Sequence, residues 1–114
     1  MRARHDTAVL VACKNGQATI GATVRSAVGQ ADVFVVSDGS TDETVAVAVA
    51  AGARVRAYAS SCGKPAALRS GNRVFGLAKR YRYIAVLDDD TTIEPEYVEK
   101  ITARMDADPR IAAA

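Results

Sequence analysis

The chain has 114 residues, 49% of them hydrophobic and 25% charged, with a formal net charge of +2 at pH 7. That length is enough for a single core burying about two-thirds of the unfolded surface, and the balance excludes disorder, collagen-like repeats and disulfide scaffolds. Lysine and arginine are spread along the sequence rather than blocked, so nucleic acid is not an expected partner, while 2 cysteines and 1 histidine are too few for a zinc site and fit a reducing, cytoplasmic compartment.

Residues 1–6 read as an N-terminal extension without the apolar segment of a signal peptide, and His5 is assigned no role. Thr7 to Ala12 reads as a buried strand, after which Ile20, Val24, Ala27 and Val28 share one helical face that Gly29 ends. Val33 to Val36 is a second strand. Ser40 with Glu43 predicts a capping box for a helix with Val45, Ala48 and Val49 on one face and Gly52 at its end. Alternation of valine with alanine there also suits a strand, and the cap decides for helix. The nearly apolar run from Val45 to Ala53 is about half of what a membrane helix needs, so no membrane segment is expected.

Arg54 to Tyr58 is a short third strand. Pro65 opens a helix running to about Arg80, with Ala67, Gly71, Val74 and Ala78 inward. Tyr83 to Leu87 is a fourth strand, and Pro95 starts a helix that buries Val98, Ile101 and Met105 and ends at Pro109. Arg110 to Ala114 looks like the opening of a fifth strand. Strands alternating with helices predict a three-layer α/β sandwich around a mostly parallel, Rossmann-like sheet.

Ligands of such sheets bind where strands end at their carboxyl edge. The polar segments Cys13–Gln17, Ser37–Asp42 and Asp88–Thr92 all fall there. Three adjacent carboxylates repel one another unless a cation shares their space, and in extended chain Asp88 and Asp90 point the same way, towards one Mg²⁺ or Mn²⁺. A solvated acidic turn is the alternative. Asp38 can accept a hydrogen bond from a nucleobase N–H or a ribose hydroxyl, although Asp38-Gly39-Ser40 also suits a plain helix-entry turn. Lys64 can reach an anionic group near the start of its helix, or it is an exposed lysine. Cys13 and Cys62 read as reduced thiols with no base to activate them.

Five segments, Val9–Asn15, Ala18–Ser26, Val35–Asp42, Gly63–Leu68 and Ala85–Thr91, together resemble the family 2 glycosyltransferases of the GT-A fold. The resemblance implies a metal-dependent, inverting transfer of a sugar, of hexosyltransferase type, from a nucleoside-diphosphate sugar to an acceptor hydroxyl. It also implies the residue roles: Asp38 on the nucleobase, Gly39 beside it, Asp88 towards the ribose, and Asp88 and Asp90 as the D-x-D metal pair with Asp89 alongside. Ala12, Lys14 and Asn15 match the loop that packs on the nucleoside, and Lys64 falls in the neighbouring segment.

The family often has an acidic residue after the asparagine of the first loop, where this chain has Gly16-Gln17, and a second aspartate where Ser37 stands. Residues 7–114 then correspond to the donor-binding part, with the acceptor half and its catalytic base absent. Asp88-x-Asp90-x-Thr92 also fits the first motif of haloacid-dehalogenase-like phosphatases. A non-catalytic nucleotide-binding module, or a homodimer completed through the sheet edge, is the reading of another class. Relatives anchored through other segments make the cytoplasmic face of a membrane an alternative location for the whole protein.

Overall fold

A computed structural model describes residues 6–107. Its centre is β1 (Thr7–Cys13), whose seven residues are all buried. A strand apolar on both faces must be covered on both, and β1 lies inside a parallel sheet of order β3-β2-β1-β4. Its neighbours are β2 (Asp32–Asp38) and β4 (Tyr83–Leu87), with β3 (Arg54–Tyr58) on the outer flank of β2.

Alternation along the strands separates two cores. Val9, Val11 and Cys13 with Val33 and Val35 face Ile20, Val24 and Ala27 of α1 (Ile20–Val28) and Ala48 of α2 (Thr44–Ala51). Leu10, Ala12, Phe34 and Val36 face Ala67 of α3 (Lys64–Phe75) and Leu77 of α4 (Leu77–Arg80). The result is the expected three-layer α/β sandwich with a parallel sheet. Gly71 lets α3 lie directly on it, since a Cβ there would stand 2.7 Å from Val36 Cγ2 and 2.9 Å from Leu10 Cδ1.

Several local expectations are corrected. The helix expected to continue from Pro65 to Arg80 breaks at Gly76, which adopts φ 64°. This resets the helical phase, so Leu77 is buried while Val74 and Ala78 are exposed. Val28, the last residue of α1, is 39% exposed because the buried line of that helix runs through Ile20, Thr23, Val24 and Ala27, and Val49 is 55% exposed because that of α2 runs through Thr44 and Ala48.

The Ser40–Glu43 capping box does not form. Asp42 Oδ1 accepts instead from the Thr44 N–H at 3.0 Å. The last helix, α5 (Tyr97–Ala107), starts two residues after Pro95 and buries Val98, with Ile101 and Met105 only half-buried. Asp6 is part of the folded unit, its carbonyl accepting from the N–H groups of Arg82 and Tyr83. The expectations for residues 1–5, for the stop at Pro109 and for a fifth strand at Arg110–Ala114 lie outside the described residues.

Candidate functional site

The carboxyl ends of β1 and β2 and the turn after β4 come together, as a parallel sheet requires. Ala12, Cys13, Lys14, Asp38, Ser61, Gly63, Lys64 and Asp89 line a groove of about 310 Å³. Of the expected site residues, Ala12, Lys14, Asp38, Lys64 and Asp89 are therefore brought to one place. Asn15, Gly39, Asp88 and Asp90 are not among its lining residues.

Asp38 ends β2 and is only 5% exposed. One carboxylate oxygen accepts from the Cys62 N–H at 2.8 Å, and the other from the Ser61 hydroxyl at 2.9 Å and the Gly63 N–H at 3.1 Å. The Cys62 N–H foremost, helped by Ser61 and Gly63, holds its pKa below the ordinary carboxylate value against the opposing effect of burial. Asp38 thus fixes the loop between β3 and α3. Gly39 takes φ 77° and a Cβ there would sit 2.8 Å from the Ser61 nitrogen, so the same loop closes over it.

Asn15 faces elsewhere. Its N–H donates to Ser40 Oγ at 3.0 Å and its Oδ1 accepts from the Thr41 N–H at 2.8 Å. The Gly16 N–H donates to Thr44 Oγ1 at 2.9 Å, and Gln17 Oε1 accepts from the Glu43 N–H at 2.9 Å. Side chains thereby zip residues 15–17 to residues 40–44, and the asparagine expected to pack on a nucleoside serves as a tether between two loops.

The acidic triplet is a turn rather than a continuation of the strand. Strand β4 ends at Leu87, and the Thr91 N–H donates to the Asp88 carbonyl at 3.1 Å, so the alternation expected to align Asp88 with Asp90 does not apply. Asp89 turns inward: Cys13 Sγ donates to its Oδ2 at 3.2 Å, and the Thr23 hydroxyl donates to its main-chain carbonyl at 3.0 Å. Gly16 is needed beside them, because a Cβ there would meet Cys13 Sγ at 2.3 Å and Asp89 Oδ2 at 2.9 Å. Burial, and then the Asp89 carboxylate, push the Cys13 thiol up to about 12, so it remains a neutral donor.

Asp88 and Asp90 stay exposed. Asp88 forms an ion pair with Lys64, which raises the lysine pKa, whereas Asp90 has no hydrogen-bond or ion-pair partner among the described residues.

No three histidine, cysteine or acidic side chains form a cage for a metal among the described residues. Two exposed carboxylates on a turn do fit a hard divalent cation that keeps waters and completes its shell with phosphate oxygens. The residues that hold this turn were missed by sequence reasoning. Ser26 Oγ accepts from the Ile93 N–H at 3.1 Å, and Gln30 accepts from the Val98 N–H and donates to the Glu94 carbonyl, each at 2.9 Å. With Thr23 they form a polar stripe at helical spacing, Thr23 and Ser26 on α1 and Gln30 just beyond its end, a pattern that could have signalled a strapped segment.

Residues 8–114 match the family described as Glycosyl transferase family 2. The succinoglycan biosynthesis protein ExoO of Rhizobium meliloti (strain 1021) is 37% identical over 108 residues, which are 90% of this chain and 30% of that protein. The crystal structure of glucosyl-3-phosphoglycerate synthase from Mycobacterium tuberculosis with Mn²⁺, uridine diphosphate and glucosyl-3-phosphoglycerate is similar at 25% identity and a TM-score of 0.70, covering 90% of this chain and 40% of that one. A structure of the same synthase with Mg²⁺ and uridine diphosphate matches at 26% identity and a TM-score of 0.69, again covering 90% of this chain and 40% of the other. The chain thus spans well under half the length of each.

Proposed function

The chain belongs to glycosyl transferase family 2, and from that premise we propose that its groove binds the nucleoside diphosphate of a nucleotide-sugar donor for metal-dependent, inverting transfer of a hexosyl group to an acceptor hydroxyl. The observation that carries this reading is the convergence of Asp38, Lys14 and Lys64 in one groove at the carboxyl edge of the sheet, with the exposed Asp88–Asp90 turn tied to it through Asp89 and Lys64. Ligand chemistry divides along it. Asp38 receives the nucleobase N–H with the acceptor capacity that Ser61, Cys62 and Gly63 leave, the Ala12 backbone and Gly39 flank the nucleoside, and Lys14 and Lys64 meet the diphosphate.

Asp88 would lie towards the ribose and, with Asp90, would hold Mg²⁺ or Mn²⁺. A cation there would neutralise the diphosphate leaving group. Lys64 then exchanges Asp88 for a phosphate oxygen. Family membership sets aside the phosphatase reading of Asp88-x-Asp90-x-Thr92.

Inverting transfer also needs a general base within hydrogen-bond reach of the acceptor hydroxyl. At this edge of the sheet Asp38 is engaged by the 61–63 loop, Asp89 by Cys13 and Asp88 by Lys64, and Asp90 is reserved for the metal. The base and the acceptor surface are therefore proposed to lie outside the donor groove, in an acceptor part or in a second copy of the chain.

Titration calorimetry with uridine diphosphate, with Mg²⁺, with Mn²⁺ and with chelator, tests the reading. Tighter binding with either metal supports it. Equal affinity in all conditions for the parent chain, Asp38→Ala and Asp90→Asn would overturn it. Incubation with donor, metal and a panel of acceptors tests the second part, for which no turnover is expected from these 114 residues alone. Binding without turnover in a longer chain that carries an acceptor part would favour a non-catalytic nucleotide-binding module.

A further inference from the structure

The two charge signs are segregated in this chain. From Thr44 to Leu87 there are eight lysines and arginines and not one aspartate or glutamate, whereas residues 88–107 carry seven acids and two bases. Cations that look dispersed along the sequence gather when it folds, because β3, α3 and α4 are consecutive and share one flank of the sheet.

Aromatic rings organise them. Arg54 and Arg80 both lie over the Phe34 ring, at 6.0 and 5.6 Å from its centre, and Arg56 lies 5.4 Å over Tyr58. Tyr58 shares a groove of about 360 Å³ with Asp38 at one end and with Arg69 and Arg73, one turn apart on α3. All five arginines are exposed, and among the described residues none is in an ion pair, the two pairs present being Lys64–Asp88 and Arg82–Asp106.

We propose that this flank is a docking surface for a membrane rich in anionic phospholipid. Guanidinium groups bind phosphate in a bidentate fashion and are less strongly hydrated than ammonium, and an open array of five suits a plane of headgroups better than one small anion. Val74, which follows Arg73 and is 41% exposed, adds an apolar contact at the headgroup boundary.

Single-stranded nucleic acid is the less suitable polyanion. It is held by bases stacking on free aromatic faces, and here Phe34 and Tyr81 are buried while Tyr58 is covered by Arg56. The Arg69–Arg73 side of this flank adjoins Asp38, whereas Arg54, Arg56 and Arg80 do not line the donor groove.

Co-sedimentation of the 114-residue chain with vesicles of phosphatidylcholine and phosphatidylglycerol in equal parts tests it, against vesicles of phosphatidylcholine alone. Binding only to the anionic vesicles, weakening with salt, is expected. Each basic residue near such a surface is worth about fivefold in partitioning, so Arg69→Ala/Arg73→Ala and Arg54→Ala/Arg56→Ala should each lose about 25-fold. Arg104→Ala, on α5, should lose nothing. Circular dichroism of each variant separates lost binding from lost folding. Equal binding to both vesicles, no binding, unchanged binding by both folded double variants, or tighter binding to a single-stranded oligonucleotide than to the anionic vesicles would each overturn the proposal.

Discussion

Asp38 and the turn at Asp88–Asp90 are both acidic and both lie at the carboxyl edge of the sheet, yet they are built in opposite ways. Asp38 is buried, holds three donors and organises a loop around itself. In the turn only the middle carboxylate is anchored, while Asp90 stands free among the described residues and Asp88 is held by a lysine. The first region is pre-organised by the protein, so a ligand there meets a surface already ordered. The second leaves Asp90 without a hydrogen-bond or ion-pair partner among the described residues, and on the proposed reading any metal dependence would concentrate there.

The largest expected effect separates the two halves by ligand. Asp90→Asn should erase the metal-dependent gain in uridine diphosphate affinity, a loss on the order of tenfold to a hundredfold, because an amide is a poor ligand for a hard cation. Asp38→Ala should lower the affinity in chelator and leave the ratio between metal and chelator unchanged. Calorimetry on both variants would break the comparison if the two patterns were exchanged.

Folding stability comes next. Truncating Asp38 removes charge-assisted acceptors from three donors, and with Ser61 and Gly63 exposed enough for water to replace part of the loss, about 2 kcal/mol is expected in urea denaturation. Truncation of Asp90 should cost almost nothing. A smaller change is expected at the anchor of the turn: Cys13→Ala should cost about 1 kcal/mol for the lost hydrogen bond and the space left behind. Cys13→Ser restores a donor, and its metal-dependent affinity should fall between those of Cys13→Ala and the parent chain.

The pH dependence is the subtlest difference. The folded pKa of Asp38 lies below its ordinary value of 3.8, so its contribution to stability is present above that value and is lost as pH falls through the lower folded one. Asp38→Asn should therefore show a shallower acid transition in a stability-versus-pH series.

Much of this architecture was legible in the sequence. Apolar runs such as Ala8–Ala12 and Val33–Val36 can be satisfied only in a sheet covered on both faces, and the polar residues following them must then gather at one edge. What could not be read was where polar side chains spend their hydrogen bonds. Asn15 looks free to meet a ligand until Thr41 is placed beside it, and Asp89 looks spare until the end of β1 brings Cys13 and the packing of α1 brings Thr23 against it. Local chemistry also misled: Ser40 and Glu43 are spaced as a capping box, but Ser40 accepts from Asn15 while Asp42 accepts from the Thr44 N–H. Gly76 was lost inside a good helical pattern because periodicity does not register a residue that adopts a left-handed conformation.

The zipper between residues 15–17 and residues 40–44 has a consequence for inheritance. Four of its contacts join a side chain of one loop to the backbone of the other, so neither loop is free to drift alone. Among descendants, a change at Asn15 or Gln17 is tolerated where the replacement still offers an acceptor at the same reach, as glutamate would in place of Gln17, and a change at Ser40 or Thr44 leaves an amide of the first loop without its acceptor. The two loops should therefore vary as a single heritable unit, and a chimera that borrows one of them from a cousin without the other would inherit a mismatched seam at the mouth of the groove.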